Sequence, residues 1–263
     1  MGSDDAVLLD EPLPGVRLIT LNRPRVRNAM TEEVTAAWTD RIAEVAGADD
    51  VRVLVITGAG GSFCSGADLS WLDRGAAGDT TPDKMRGRML PFYRTWLSPR
   101  ELPFPVIAAI NGPAIGAGLC AALACDLRYA ATTARFSAPF IYLGTHGGMA
   151  ATWLLPEAIG VPRAREMLYT GRELLPDEAV SWGLISEVAD DVLDHALRVA
   201  EQIADAAPIA TRLTKAGLEQ AANGLAASLQ WEALAQPVTL DTTDVHEGIK
   251  ARRERRPPHF TGT

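Results

Sequence analysis

No apolar run in this chain approaches the ~18 residues that a membrane-spanning helix requires, so no membrane span is expected. Positive charge is also scarce. Lys and Arg total 25 against 33 Asp and Glu, a net charge of −8, which argues against the concentrated positive field that a nucleic-acid partner needs. Cysteines number three, Cys64, Cys120 and Cys125; their odd count and lack of metal-ligand spacing argue against a disulfide framework and a zinc site. The four histidines, His146, His195, His246 and His259, are scattered, with no His-Glu-x-x-His arrangement. Neither Ser62 nor Ser65 sits in Gly-x-Ser-x-Gly, which counts against a serine hydrolase. The opening residues carry neither a basic stretch nor an apolar core, so no secretory signal is expected and the cytoplasm is the expected compartment.

What is present suits a globular enzyme-sized chain. Its 263 residues can bury a sizeable core, and 47% hydrophobic with 22% charged residues places it among soluble folded proteins. Residues 15–21 read as a strand. A helix follows from Thr31 as N-cap, with Val34, Trp38, Ile42 and Val45 on one face. The same order recurs with strands at 51–57, 106–110 and 127–130, an amphipathic helix near 83–97 and a small-residue helix near 118–124. A short helix is expected to start at Asp68, and residues 74–82 read as a mobile segment. Beyond Gly144 the pattern turns helical, at 149–159, 162–169, 176–182 and 192–206 and on toward Arg253, interrupted by a strand at 184–188. Together these units imply an α/β core with a C-terminal helical region. The cluster Arg252, Arg253, Arg255 and Arg256 reads equally as a solvated tail or a phosphate contact.

Two glycine-rich loops carry the chemistry. Ser62-Phe63-Cys64-Ser65-Gly66-Ala67-Asp68 and Asn111-Gly112-Pro113-Ala114-Ile115-Gly116-Ala117-Gly118 each follow a strand and lead toward a helix. Unpaired N–H groups at such turns suit a developing negative charge, and each donor in an oxyanion hole is worth ~3 kcal/mol in the transition state. Residues 116–121 also fit the dinucleotide pattern Gly-x-Gly-x-x-Ala. The fit is poor, because five residues separate strand from first glycine and no acid stands about 20 residues on, where the chain reads Phe136-Ser137-Ala138.

In order and spacing, the chain resembles the crotonase, or enoyl-CoA hydratase/isomerase, superfamily. The matching segments are Leu21-Asn22-Arg23-Pro24 with Asn28-Ala29-Met30, the two glycine loops through Cys125-Asp126, residues 136–144, Gly171-Arg172 with 179–184, and the tail from Glu247 to Phe260. The resemblance covers nearly the whole chain. It implies a spiral of ββα units over residues 1–195 and a C-terminal helical region, 196–263, used in assembly as a homotrimer or a dimer of trimers. An acyl-CoA thioester is the implied ligand, with coenzyme A as part of it and no separate cofactor or metal. The family's two oxyanion-hole N–H groups fall on Ala67 and Ala117. Arg25, Val26 and Arg27, with Ala67 and Asp68, fall on coenzyme A contacts, and Arg255 on a tail residue that reaches the CoA phosphates in related oligomers. A family lysine two residues after Asp68 is here Ser70, a departure at the phosphate site.

The family's hydratases, lyases of fatty-acid metabolism, use two glutamates whose positions here are Cys120 and Phe140. Neither a thiol nor a phenyl ring exchanges protons near neutrality as a carboxylate does, which counts against ordinary hydration. His146 is the titratable candidate in the loop 143–149. Cys120 reads as packing more than as a nucleophile, and Trp71, Met85, Met89, Phe92, Trp96 and Phe140 as pocket wall or helix core. Three readings stay open: a hydratase/isomerase-type enzyme on acyl-CoA, other thioester chemistry such as decarboxylation or hydrolysis through His146, and a non-catalytic acyl-CoA carrier.

Overall fold

The computed structural model describes residues 5–68, 81–221 and 223–263; the expected helix after Asp68, most of the segment 74–82 and Trp71 lie outside them. Strand β1 (Val7–Leu13) runs antiparallel to β2 (Val16–Leu21). From β2 the sheet continues with parallel pairings through β3 (Val53–Gly58), β4 (Val106–Ile110), β6 (Leu127–Ala131) and β8 (Glu187–Ala189). A second, minimal parallel ladder joins β5 (Ala114–Ile115) to β7 (Phe136–Ser137). Single bridges extend it, from Met30 to Ala67, Cys64 to Ala114 and Phe136 to Leu174. β4 and β6 thus each hand the chain to a short second strand, and β2 and β3 to a single bridge at Met30 and Cys64, which is the repeat of the ββα spiral.

Alternation along the strands separates two cores. Ile19, Leu21, Leu54, Ile56, Val106, Ala108 and Ile110 face one; Val16, Leu18, Val53, Val55, Ile107 and Ala109 face the other. The first core is closed by α1 (Glu32–Ala46), whose N-cap Thr31 accepts the Val34 N–H and whose buried face is Val34, Trp38, Ile42 and Val45. The second is closed by α7 (Val192–Ala204), where Ala196, Ala200 and Ala204 let the helix lie close on the sheet. Helix α2 (Pro82–Leu97) is fixed to α1 by its indole. Trp96 stacks on Trp38 at 4.7 Å and donates to Thr35 Oγ1, while Trp38 Nε1–H donates to the Thr95 carbonyl.

The expected strand at 184–188 begins later. Gly183, at φ 83°, closes α6 (Pro176–Trp182), and the N–H groups of Leu184 and Ile185 both turn back to the Ala179 carbonyl. Pairing starts only at Glu187, opposite Tyr129. Likewise the helix expected from 149 is α4 (Ala151–Ile159), because Met149 and Ala150 both take positive φ. After α5 (Val161–Thr170), the C-terminal region comprises α8 (Pro208–Ala221), α9 (Leu225–Leu240) and α10 (Thr243–Glu254).

One buried cation ties that region to the sheet. Lys215, 8% exposed, donates from Nζ to Asp126 Oδ2 at 2.8 Å and to the Phe104 carbonyl at 3.0 Å; Asp126 Oδ2 also accepts the Val106 N–H at 2.7 Å. Removing one member leaves the other charge without its partner. Lys215→Met is expected to lower unfolding stability by about 2–4 kcal/mol in urea titration, discounted from a fully buried pair because Asp126 is partly exposed. A variant as stable as the parent would show that the pair does not hold α8 in place.

Candidate functional site

Two backbone segments meet where β3 and β4 end. Residues 58–68 leave β3 as a loop gripped by two asparagines. Asn28, fully buried at φ 54°, donates from Nδ2 to the carbonyls of Ala59, Ser62 and Phe63 and accepts the Arg23 N–H on Oδ1. Asn111 grips the same loop from β4, donating to the Gly58 and Gly60 carbonyls at 2.7 and 2.8 Å and accepting the Gly58 N–H. The loop then crosses residues 113–118. Phe63 and Cys64 donate to the Pro113 carbonyl, and Ile115 donates to the Cys64 carbonyl at 3.0 Å. Gly66, at φ 95°, is required here, since a Cβ would stand 2.7 Å from the Ile115 oxygen and 3.3 Å from the Ala117 nitrogen.

This crossing brings Ala67 and Ala117 side by side. Gly66 gives its carbonyl to Met30 and Gly116 gives its N–H to the Ser137 carbonyl. The N–H groups of Ala67 and Ala117 make no hydrogen bond among the described residues. Ala117 is the first residue of α3 (Ala117–Leu123), where helix geometry leaves N–H groups unpaired. Both residues line a cavity of about 600 Å³. Its wall is mainly apolar, with Met89, Phe92 and Tyr93 from α2 and Phe140 beside Gly116, and its mouth carries Arg25, Val26 and Arg27. Main-chain turns expose those three residues: a 3₁₀ turn at Pro24–Val26, then Arg27 and Asn28 both at positive φ.

A family model described as enoyl-CoA hydratase/isomerase matches residues 13–263. The chain belongs to the enoyl-CoA hydratase/isomerase family. It is 40% identical to a probable enoyl-CoA hydratase of Mycobacterium bovis over 97% of this chain and 92% of that one. It is 38% identical to the (E)-benzylidenesuccinyl-CoA hydratase of Thauera aromatica, over 94% of this chain and 96% of that one. The crystal structure of an enoyl-CoA hydratase from Bacillus anthracis superposes with a TM-score of 0.91 at 34% identity, covering 98% of this chain and 100% of that chain.

Against this enoyl-CoA hydratase/isomerase fold, the residues singled out from sequence separate. Ala67, Ala117, Asp68, Arg25, Val26, Arg27, Phe140 and His146 share the one cavity. Cys120 does not line it: the side chain is 1% exposed and its thiol points to the Gly148 carbonyl at 3.8 Å. Arg255 caps α10 in the left-handed region, exposed and away from the cavity wall. His146 is exposed on the cavity's rim, its Nδ1–H donating to the adjoining Gly147 carbonyl at 2.8 Å. Of the candidate walls, Met89, Phe92 and Phe140 line the cavity, whereas Trp96 is core and Met85 is not on the wall. Tyr93 was missed by sequence reasoning. The available signal was its place four residues after Met89, on the same helix face.

Burial pushes all three thiols up to about 12: Cys64, partly offset by the Gly66 N–H, Cys120, and Cys125 beside Asp126. At pH 8 such a thiol is ionised on the order of 1 part in 10,000, and no thiolate is available as a nucleophile. The folded protein should therefore resist an aromatic disulfide reagent at pH 8 for hours, and release three equivalents when unfolded in guanidinium. One rapid equivalent from the folded protein, lost in Cys120→Ala, would restore Cys120 as a reactive group.

Proposed function

We propose that this protein binds an acyl-CoA thioester with the carbonyl oxygen between the Ala67 and Ala117 N–H groups, and stabilises the enolate formed from it. The observation that carries this reading is the pair of partnerless main-chain donors on an apolar cavity with an arginine-bearing mouth. Donors aimed at the oxygen strengthen as negative charge builds there, so they favour the enolate over the ground-state thioester. Arg25 and Arg27 would meet the phosphates of coenzyme A, and the apolar wall the acyl chain. The two sequence relatives above carry the names probable enoyl-CoA hydratase and (E)-benzylidenesuccinyl-CoA hydratase, which supports the same ligand class.

Hydration through two glutamates is not supported here. Phe140 stands in the wall, and Cys120 is a neutral buried thiol behind it. The proposed chemistry is thus thioester-enolate chemistry with other proton-carrying groups, ahead of a carrier role, because the paired donors suit charge that develops during a reaction. Self-association as a trimer or a dimer of trimers accompanies this reading, in keeping with the exposed Leu225, Leu229 and Leu234 of α9 and with Arg255 serving a neighbouring copy's CoA phosphates.

Butanoyl-CoA should bind in calorimetry and raise the melting temperature. Ala117→Pro deletes one donor at a first-turn position where proline is tolerated. Loss of that donor should lower turnover of any accepted trans-2-enoyl-CoA by about 100-fold or more, with the fold intact by circular dichroism. Full turnover in the folded proline variant would contradict the assignment of Ala117.

A further inference from the structure

The cavity holds one half-buried titratable hydroxyl, that of Tyr93. Tyr93 projects from α2 into the wall together with Met89 and Phe92, and α2 is held in register by the Trp38 and Trp96 stack. Its oxygen lies over the loop that precedes α4. A Cβ added at Gly148 would stand 2.8 Å from Tyr93 Oη and 3.4 Å from its Cζ, so the absent side chain at 148 is what gives the hydroxyl its seat. Other titratable groups on the cavity are placed differently. His146 and Tyr142 are exposed at the rim, Arg25 and Arg27 are exposed at the mouth, and Cys120 lies behind the wall. Asp68, half-buried directly after Ala67, lines the loop side; a carboxylate is an acceptor at neutral pH, where a phenol is a donor.

The geometry points to Tyr93 as the catalytic proton carrier of this site, delivering its hydroxyl proton to the α-carbon of a thioester enolate held by Ala67 and Ala117. This inference rests on the acyl-CoA reading above. In the step, the phenol O–H bond breaks and a C–H bond forms at the α-carbon. The carbon–carbon π pair of the enolate forms that C–H bond while an oxygen lone pair restores the thioester carbonyl, and the phenolate regains a proton from water at the cavity mouth. In the reverse step the phenolate, formed when the hydroxyl gives its proton to water at the cavity mouth, removes an α-proton from a saturated acyl thioester, so α-exchange rises with pH as the phenolate fraction rises. Burial pushes the phenol up, against a smaller opposing pull from the Met149 N–H, so the side chain holds its proton at neutral pH as a donor must. Gly148 is the positioning residue for this hydroxyl.

Deuterium incorporation at the α-carbon of butanoyl-CoA in D₂O, read by mass spectrometry, tests the step without presupposing which overall reaction the enzyme completes. Calorimetric binding of the same thioester tests the reading beneath it. Wild type should bind and exchange. Tyr93→Phe keeps the ring and should bind within about threefold of wild type while exchanging at least ~100-fold more slowly, the usual scale for a positioned acid–base group. Gly148→Ala, which moves the hydroxyl, should also slow exchange, and the double variant should be no slower than Tyr93→Phe alone. Exchange at the wild-type rate in Tyr93→Phe would overturn the assignment while leaving the binding reading standing. Binding with no exchange by wild type would likewise overturn the proton-carrying role alone. Failure of wild type to bind butanoyl-CoA would overturn the acyl-CoA reading itself, and the inference with it.

Discussion

The backbone of residues 64–67 crosses that of residues 114–118 at a separation that leaves no room for a Cβ between them. A side chain at Gly118 would overlap the Cys64 carbonyl and come within 2.9 Å of the Cys64 Cβ, and one at Gly66 would meet the Ile115 carbonyl. Because the two segments lie this close, the N–H groups of Ala67 and Ala117 belong to one small volume instead of two separate turns. The rest of the architecture serves to hold that crossing. Asn28 and Asn111 both grip the first loop, and β3 and β4 deliver the two segments in parallel from the centre of the sheet. The hydrogen bonds from the buried Asn28 amide to the Ser62 and Phe63 carbonyls are costly to break, since each carbonyl would be left without a donor.

A site built from main-chain donors has a particular consequence for chemistry. The two main-chain donors are fixed by glycine positions and strand register, so side chains elsewhere on the cavity are free to differ without disturbing them. Cys120 and Phe140 show that freedom. One has withdrawn into the core as a neutral thiol, and the other has become part of the apolar wall. In the proposed reading, what the pair of donors does to a thioester is then separable from how protons reach it, and the second task falls to whichever titratable group the helices bring to the wall. On that reading α2 brings Tyr93, one turn before the Trp96 whose stack on Trp38 fixes the helix.

Local signals in the sequence carried much of this. Thr31 before the Val34, Trp38, Ile42 and Val45 stripe marked α1 correctly because cap and face are encoded within four turns. The glycine loops were legible because close approach demands small residues in order. Other features were not legible for physical reasons. β1 has a mixed pattern of burial and a register irregularity, so its alternation is weak. The start of β8 shifted because the turn after Gly183 captured two N–H groups that a pattern of apolar residues does not reveal. The seat of Tyr93 over Gly148 depends on contact between residues 55 apart, and no local periodicity announces it. Cys120, the fourth residue of α3, was read from its small-residue surroundings as packing more than as a nucleophile, and it is buried.

The central claim is that the Ala67 and Ala117 N–H groups together hold a thioester oxygen. Isotope-edited infrared difference spectroscopy of butanoyl-CoA labelled with ¹³C at the carbonyl reads that contact directly, because hydrogen bonding to the oxygen weakens the C=O bond. The account predicts that the labelled carbonyl band of the bound thioester moves to lower wavenumber than its position in water, where solvent already donates to it. A bound thioester whose band stays at or above the position in water would contradict it.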